Sequence, residues 1–190
     1  MSADRIDKAR LFEAYLVAAA RTGDAAAQAR LVEAWQPRFI GHAWRLTGDT
    51  DMARDAVQDS WLEILRGLTA LRDELAFPAW ALRIVTRRCR RLGGRRGRER
   101  AREAGLEEHA SIAAPEPDSG PDVLTRRHMR RAIDSLPPDQ RAALALVYLL
   151  GLSVAEAALA LDAPEGTIKT RLMHARRKLR DHLTLQGVTP

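Results

Sequence analysis

The sequence contains few of the residues on which secreted, metal-binding and membrane proteins depend. Cys89 is the only cysteine among 190 residues, so neither an intramolecular disulfide nor a cysteine-based zinc site can form. The longest apolar run, Ala142 to Leu150, is too short to span a bilayer. Glu13 interrupts the apolar N-terminal stretch, so no signal peptide is expected there. We therefore expect a cytoplasmic protein with no membrane span, no metal site and no cofactor.

Motifs of catalysis are missing as well. The chain has no recognisable Ser/His/Asp set, no paired catalytic carboxylates, no glycine-rich phosphate loop and no cluster of metal ligands. The histidines are scattered, and each is expected to be structural or solvated: His42, His109, His128, His174 and His182. An enzyme is therefore not expected.

The residues that are abundant indicate a helical protein that binds a polyanion. Aromatic residues make up only 5% of the chain and β-branched residues are sparse, whereas Ala, Leu, Arg and Glu are common, which favours helix. The net charge of +6 and the isoelectric point near 10.3 point to nucleic acid or an anionic membrane as a partner. The absence of an apolar span leaves nucleic acid as the stronger of the two.

Glycine and proline divide the chain into two predicted domains. Residues 93–121 are rich in glycine and arginine and then in proline, which argues against a packed core and predicts a flexible linker. The domains on either side are residues 1–92 and 122–190. We predict an all-α fold of two small helical domains, of which the C-terminal one contains a helix-turn-helix.

That helix-turn-helix is the clearest local pattern in the sequence. Ser153 and Glu156 have the spacing of a capping box, which starts one helix, and Pro164 prevents that helix from continuing. The next helix has one predicted buried stripe at helical spacing: Ile168, Leu172, Ala175 and Leu179. The rest of its surface is basic, with no acid between Gly166 and Arg180. This pattern is typical of a helix that enters the DNA major groove, and the alternative is a solvated basic helix.

In the N-terminal domain, the helix from Asp49 to Arg66 has an acidic stripe. Its predicted buried face is Ala53, Val57, Trp61, Ile64 and Leu68. On the opposite side, four acids repeat every four residues: Asp51, Asp55, Asp59 and Glu63. Like charges at this spacing repel by a few tenths of a kcal/mol each. A basic partner surface would explain the stripe, and so would chance solvation; the residues alone do not decide between them.

Two further helices of the N-terminal domain have distinctive faces: an arginine-rich helix after the acidic one, and the first helix of the chain. The arginine-rich helix begins at Phe77 and Pro78, and its exposed face is predicted to present Trp80, Arg83, Arg87 and Arg91, joined by Arg88 and Arg90. Arginines interleaved with an aromatic suit single-stranded nucleic acid; the alternative is Trp80 in the core and a solvated arginine tail. The first helix, Ile6 to Arg21, is predicted to have one apolar face: Leu11, Phe12, Tyr15, Leu16 and Ala19.

Several of these segments together resemble bacterial RNA polymerase sigma factors. Leu136 to Arg141, Gly151 to Glu156 and Gly166 to Arg176 look like region 4 of that family. Asp55 to Leu62 is similar to the region 2 segment that binds the polymerase clamp, and Phe77 with Trp80 to Val85 is similar to the helix at the promoter −10 element. The spacing fits the compact extracytoplasmic-function (ECF) subfamily.

The resemblance implies a promoter-specificity subunit whose partners are core RNA polymerase, promoter DNA and an anti-sigma factor or other inhibitor. It implies a polymerase-binding set of Asp51, Asp55, Gln58, Asp59 and Glu63. It implies a set for the melted −10 strand of Trp80, Arg83, Arg87, Arg88 and Arg91. For the −35 element it implies Thr167, Lys169, Thr170, Arg171, Met173, His174, Arg176 and Arg177.

Two departures from the family pattern affect these expectations. Arg87 and Arg91 stand where the family usually or often has Asn, which favours phosphate contact at the −10 helix. Ala157 replaces the usual Ile of the first region 4 helix, and the lost volume is expected to be filled by Leu159 or Leu161. A stand-alone helix-turn-helix regulator, acting as a dimer, is the alternative function; it leaves the acidic stripe and the arginine-rich helix unexplained.

Overall fold

The computed structural model describes residues 3–103 and 129–185, with side chains described for 8–94 and 129–182. Every regular element in these ranges is a helix or a 3-10 turn, which confirms the all-α prediction. None of the described helices combines the length and the apolar character needed to cross a membrane. Residues 3–103 are called the N-terminal module below, and residues 129–185 the C-terminal module.

The N-terminal module consists of four helices and two 3-10 turns. In chain order they are α1 (Ala3–Arg21), α2 (Ala25–Thr47), α3 (Thr50–Gly67), the turns Leu68–Ala70 and Glu74–Ala76, and α4 (Phe77–Glu103). Gly48 ends α2 in the left-handed conformation at φ 70°, where glycine is favoured, and Asp49 caps α3 by accepting from the Met52 N–H. The predicted start of this helix at Asp49 is therefore confirmed.

The few aromatic residues are concentrated in the core of this module. Trp35 lies 5.3 Å from Phe39 and 5.5 Å from Phe77, and Phe39 lies 5.1 Å from Trp61, measured between ring centroids. Aromatic pairs in tilted or edge-to-face geometry add about 0.5–1.5 kcal/mol each beyond the area they bury. This cluster fixes α3 and α4, which carry the predicted polymerase and single-strand residues, against α2.

Three of the five residues predicted on the apolar face of α1 are wrong, while Leu16 is buried and Ala19 packs against the core as predicted. Leu11, Phe12 and Tyr15 are exposed, whereas the buried face of α1 is formed by Leu16, Val17 and Ala20. Both faces of this helix carry apolar residues, so spacing alone could not show which of them α2 covers.

The predicted linker begins too early. Helix α4 continues through Gly93 and Gly94 to Glu103, so residues 93–103 are helical. Each glycine costs a helix only about 1 kcal/mol relative to alanine, and the intervening arginines, alanine and glutamates are good helix formers. The remainder of the predicted linker, 104–121, lies outside the described residues.

The C-terminal module holds the helix-turn-helix. It comprises α5 (described over 129–134), α6 (Pro138–Tyr148), α7 (Val154–Ala160) and α8 (Glu165–Leu185). Ser153 accepts from the Glu156 N–H while Glu156 accepts from the Ser153 N–H, so the predicted capping box is present. Of the two residues expected to compensate for the small Ala157, Leu161 is fully buried, whereas Leu159 is 42% exposed.

The two modules pack against each other through a continuous apolar core. Helix α7 lies against α4 and α6 lies against α2, and buried residues of both modules belong to one hydrophobic cluster. The sequence carried no signal for this packing, because the predicted linker allows the modules any separation up to its full length.

Candidate nucleic-acid and polymerase interfaces

Helix α8 turns its basic side away from the core. Ile168, Leu172 and Ala175 are buried, which confirms the predicted stripe. Lys169 and Met173, four residues apart, are exposed neighbours on the outer surface. The exposed members of the predicted −35 set are Lys169, Thr170, Met173, Arg176 and Arg177, while Thr167, Arg171 and His174 are half-buried. An exposed surface of donors and a thioether along one helix suits base edges and phosphates in a major groove.

Two arginines of this set are held by α6. Arg171 donates from Nη2 to Asp139 Oδ2 at 2.5 Å, and only 20% of its side chain is exposed. Arg176 donates from Nε to the Tyr148 hydroxyl at 2.7 Å, with its guanidinium 5.5 Å from the centre of the Tyr148 ring. Tyr148 orients Arg176 and leaves it exposed. The ion pair between Asp139 and Arg171, in contrast, ties α8 to α6.

The predicted single-strand set on α4 divides among three directions. Arg87 and Arg91 are exposed. Arg88 turns toward α3, where Nη1 lies 3.5 Å from Asp59 and Nη2 lies 3.6 Å from Glu63. Arg83 turns toward the C-terminal module. At 100° per residue, Trp80, Arg87 and Arg91 fall within about 40° of one another around the helix axis.

Trp80 lies at the base of this exposed stripe. Its ring is half-buried, 6.1 Å from Phe77, and it covers Gly67 at the end of α3. A Cβ atom on Gly67 would come within 2.9 Å of the Trp80 ring, so glycine is what permits this close approach. Trp80 therefore belongs partly to the core and remains partly exposed.

The acidic stripe of α3 is exposed along its whole length. Asp51, Asp55, Gln58, Asp59 and Glu63 are all exposed, whereas Ala53, Val57, Trp61, Ile64 and Leu68 are buried as predicted. Leu62, 59% exposed, adds an apolar side chain beside the stripe. Arg88 compensates part of the charge near Asp59 and Glu63, whereas no described residue forms an ion pair with Asp55. The surface can accept a basic partner with a small apolar contact.

Two buried titratable groups, His42 and Cys89, lie behind these surfaces. His42 Nε2 is 2.8 Å from the Thr86 hydroxyl, which joins α2 to α4. Burial, with smaller contributions from Arg45 and Arg90, lowers the pKa of His42 to about 3. Burial also raises the pKa of Cys89 to about 12, so this thiol is inert at neutral pH. Both residues are structural.

The partners of the predicted arginines were also missed. Asp139, Tyr148 and Asp162 each contact an arginine that lies 28 or more residues away in sequence. Periodicity reports which side of a helix is buried, but not which residue of another helix lies opposite it. Only the repeat of acids on α3 gave a local indication that charged side chains of this helix could face a basic partner surface.

The two modules match two family models separately. Residues 31–99 match the model described as sigma-70 region 2, and residues 126–179 match that of sigma-70 region 4. The chain is 33% identical over 168 residues to the ECF RNA polymerase sigma factor SigE of Mycolicibacterium smegmatis, which covers 85% of this chain and 65% of that protein. It is 32% identical over 181 residues to the ECF RNA polymerase sigma-E factor of Salmonella typhimurium, covering 90% and 93%.

A third relative and a solved structure agree with these matches. The ECF RNA polymerase sigma factor EcfG of Rhodopseudomonas palustris is 33% identical over 151 residues, covering 80% of this chain and 82% of that protein. The sigma factor RpoE of Bartonella quintana, solved in complex with the anti-sigma factor NepR, superposes with a TM-score of 0.68 at 25% identity, covering 82% and 95%. The chain spans about two thirds of the length of some relatives: 65% of the mycobacterial SigE and 66% of SigM from Mycobacterium tuberculosis.

Proposed function

The chain belongs to the ECF family of RNA polymerase sigma factors, and we propose that it binds core RNA polymerase and directs promoter recognition, strand opening and transcription initiation. In this proposal the protein is a cytoplasmic initiation factor and not an enzyme. Region 4 reads the −35 element through α8, region 2 holds the melted −10 strand along α4, and the acidic stripe of α3 docks on the polymerase.

The observation that carries this proposal is the presence of three charged surfaces of different character on one chain. The outer side of α8 is basic and exposed, the stripe of α4 combines Trp80 with Arg87 and Arg91, and α3 is acidic. A stand-alone DNA-binding regulator has use for the first surface only. The acidic stripe repels DNA, and a protein partner with basic charge is what such a surface suits.

Transcription with purified components tests the proposal directly. The chain is added to core RNA polymerase on a library of genomic fragments, and transcripts are mapped at their 5′ ends. We expect initiation at a set of promoters that core polymerase alone does not use. If no fragment yields a start that depends on the added chain, the proposed function is wrong.

Within α8, we assign base reading to Lys169 and Met173 and phosphate contact to Arg176 and Arg177. Lys169 can donate to guanine acceptors, and Met173 can contact a thymine methyl group. Arg176, oriented by Tyr148, is suited to a phosphate, which positions the helix without reading sequence. Arg171 supports the same helix through Asp139, and its pairing would have to open before it could reach DNA.

These roles predict different consequences for Lys169→Ala and Arg177→Ala. Lys169→Ala is expected to weaken binding to the cognate −35 duplex by about 1–3 kcal/mol and to leave other duplexes little affected. Arg177→Ala is expected to weaken all duplexes alike and to reduce the slope of log K against log salt by about 1. Binding isotherms of the polymerase complex on cognate and scrambled −35 duplexes, at several salt concentrations, provide both quantities.

Lys178→Ala is the matched control, because it removes an exposed cation from the same helix without touching the assigned residues. The assignment fails if Lys169→Ala and Arg177→Ala lose affinity for scrambled DNA to the same extent.

An inhibitory protein partner also belongs to the proposal. The Bartonella quintana relative was solved with its anti-sigma factor, and this chain has exposed apolar residues on α1 and α6 that such a partner could cover: Leu11, Phe12, Tyr15, Tyr148 and Leu149. Co-purification from the source organism, followed by identification of the bound proteins, tests this part separately from transcription.

A further inference from the structure

Helix α6 ends with an exposed tyrosine beside the basic surface of α8. Tyr148 is the last residue of α6 and is 54% exposed, although residues 141–146 of the same helix are buried. Its hydroxyl accepts a hydrogen bond from Nε of Arg176 at 2.7 Å, and the guanidinium carbon of Arg176 lies 5.5 Å from the centre of the Tyr148 ring. Tyr148 therefore lies at the edge of the surface that α8 presents to solvent.

The packing of α6 on α8 places these two side chains together. Ala175, the residue before Arg176, is fully buried, and so is Leu146, two residues before Tyr148. Nearer the start of α6, Asp139 pairs with Arg171 of α8. The two helices are thus joined on both sides of their buried contact, and the hydroxyl and the guanidinium meet where the packed backbones bring them.

Arg176 keeps most of its hydrogen-bonding capacity in this arrangement. A guanidinium has five N–H donors in a fixed planar fork and no acceptor, and Tyr148 uses one of the five. No other hydrogen bond or ion pair of Arg176 is found among the described residues, and its side chain is exposed. The remaining donors and the full positive charge are available to an anion.

The hydroxyl of Tyr148 is also left with a donor. Its oxygen accepts from Arg176, and its hydrogen cannot be directed back to that arginine, because a guanidinium has no lone pair to receive it. Within the described ranges, no protein group accepts this hydrogen. An unused O–H of Tyr148 therefore stands next to the unused N–H groups of Arg176.

An oxygen bound to Arg176 would meet this hydroxyl. The Nε–H and one Nη–H of a guanidinium point the same way, which lets arginine hold two oxygens side by side. Tyr148 supplies the oxygen at Nε. An oxygen at the neighbouring Nη–H would then lie roughly 2.5–3 Å from the hydroxyl, the length of an O–H···O hydrogen bond. One phosphate can thus accept from both residues without a change in either side chain.

We propose that Tyr148 and Arg176 together form a phosphate-binding site for duplex DNA, in which Tyr148 is a direct DNA contact supplied by α6. The site reads no sequence, because a phosphate carries no sequence information. It extends the DNA-binding surface of the C-terminal module beyond α8 and gives α8 a second helix through which its position on the duplex is fixed. This inference rests on the proposed function for duplex DNA as the ligand.

Tyr148→Phe removes the hydroxyl and keeps the ring. The probe is a fluorescein-labelled duplex of about 20 base pairs and mixed sequence, since a phosphate contact needs no cognate site, and it is titrated with the free full-length chain at low salt. We expect Tyr148→Phe to lower the affinity about threefold to tenfold, the effect of one hydrogen bond. The slope of log K against log salt should stay unchanged, because the hydroxyl is neutral, whereas Arg176→Ala should reduce it by about 1.

Tyr15→Phe is the matched control. It makes the same chemical change at a tyrosine that is 67% exposed on α1, where no DNA contact is assigned. We expect this variant to bind the duplex with unchanged affinity. Equal losses from Tyr148→Phe and Tyr15→Phe, or no loss from Tyr148→Phe, would overturn the inference.

Direct contact is tested by fluorine NMR. The chain has two tyrosines, Tyr15 and Tyr148, so incorporation of fluorotyrosine gives two resonances, which Tyr148→Phe assigns. We expect the duplex to shift the Tyr148 resonance and to leave that of Tyr15 in place. The shift should persist in Arg176→Ala at saturating duplex, because Tyr148 donates to the phosphate itself. Loss of the shift in that variant would mean that Tyr148 acts only through Arg176, and the proposed contact would be wrong.

These measurements use neither core polymerase nor transcription, so the two proposals fail separately. A chain that starts no transcript, but in which Tyr148 shows both the loss of affinity and the fluorine shift, contradicts the proposed function alone. A chain that transcribes normally, but whose Tyr148 resonance does not respond to the duplex, contradicts the inference alone.

Discussion

Replacing Asp55 and Asp59 by lysine is expected to abolish binding of the chain to core RNA polymerase. Both side chains are exposed on the same side of α3, four residues apart, beside Gln58 and Leu62. If they meet a basic surface, each reversal removes an attraction and adds a repulsion. Truncation of one partner in an interfacial charge pair costs about 2–5 kcal/mol. Two reversals therefore correspond to a loss of at least about a thousandfold in affinity.

The fold should survive this change. Among the described residues no ion pair or hydrogen bond of the Asp55 side chain is found, and Asp59 is 3.5 Å from Arg88 with about half of its side chain exposed. Exposed ion pairs of this kind contribute about 0–1 kcal/mol. We expect thermal unfolding of the double variant to stay within a few degrees of the unmodified chain, while pull-down with core polymerase and promoter-dependent transcription are lost.

A charge-matched control separates docking from net charge. Glu33 on α2 and Asp181 on α8 are exposed acids outside the stripe, and changing both to lysine alters the net charge by the same amount. This variant is expected to bind core polymerase normally. Retention of the Asp55 and Asp59 double variant on core polymerase would place the docking surface elsewhere on the chain.

The sequence predicted the local parts of this structure because local interactions determine them. The capping box at Ser153 and Glu156, the start of α3 at Asp49 and the buried stripe of α8 each depend on residues within two helical turns. The placement of buried residues on α3 succeeded for a related reason. One side of that helix is apolar and the other is acidic, so only one orientation avoids burying unpaired charge.

Prediction failed where two solutions satisfied the same local rules. Helix α1 has apolar residues on both sides, and the choice of Val17 over Phe12 as the buried residue depends on the shape of α2 and the 3-10 turns against it. Gly93 and Gly94 weaken a helix without ending it, so the extent of α4 depends on the residues that follow.

The candidate site shows the same limit for charged side chains. Arginines at positions 83, 87, 88 and 91 were predicted as one set, yet Arg88 turns to Asp59 and Glu63 and Arg83 turns to Asp162. Consecutive residues on a helix differ by 100° in direction. Arginines along one basic segment therefore point toward different neighbouring helices or toward solvent. Their division among α3, solvent and the turn after α7 follows from the packing of the modules, for which the sequence has no local code.

Acidification below pH 6 is expected to destabilise the N-terminal module through His42. The folded protein holds His42 neutral, with its pKa lowered to about 3 by burial and by Arg45 and Arg90, against 6.5 for the unfolded chain. Between about pH 3 and pH 6.5, the unfolded chain binds a proton at His42 that the folded chain does not bind. The stability is therefore fully present above about pH 6.5 and is lost as the pH falls toward 3. The slope is about 1.4 kcal/mol per pH unit, or about 2 kcal/mol between pH 7 and pH 5.

Denaturant unfolding at half-unit steps from pH 7 to pH 5 measures this slope, and His42→Gln is the variant that should remove it. Glutamine keeps a polar group near Thr86 but does not titrate, so its stability at pH 7 will be lower and its pH dependence flatter. The matched control is His182→Gln, which removes a half-buried imidazole near the end of α8, outside the core of α2 and α4. If wild type and His42→Gln lose stability in parallel, groups other than His42 govern the acid response.

A proton on His42 would place a third cation beside Arg45 and Arg90. Because Arg90 also holds the Leu161 carbonyl, the acid response should loosen the contact between the modules as well as the core of α2 and α4.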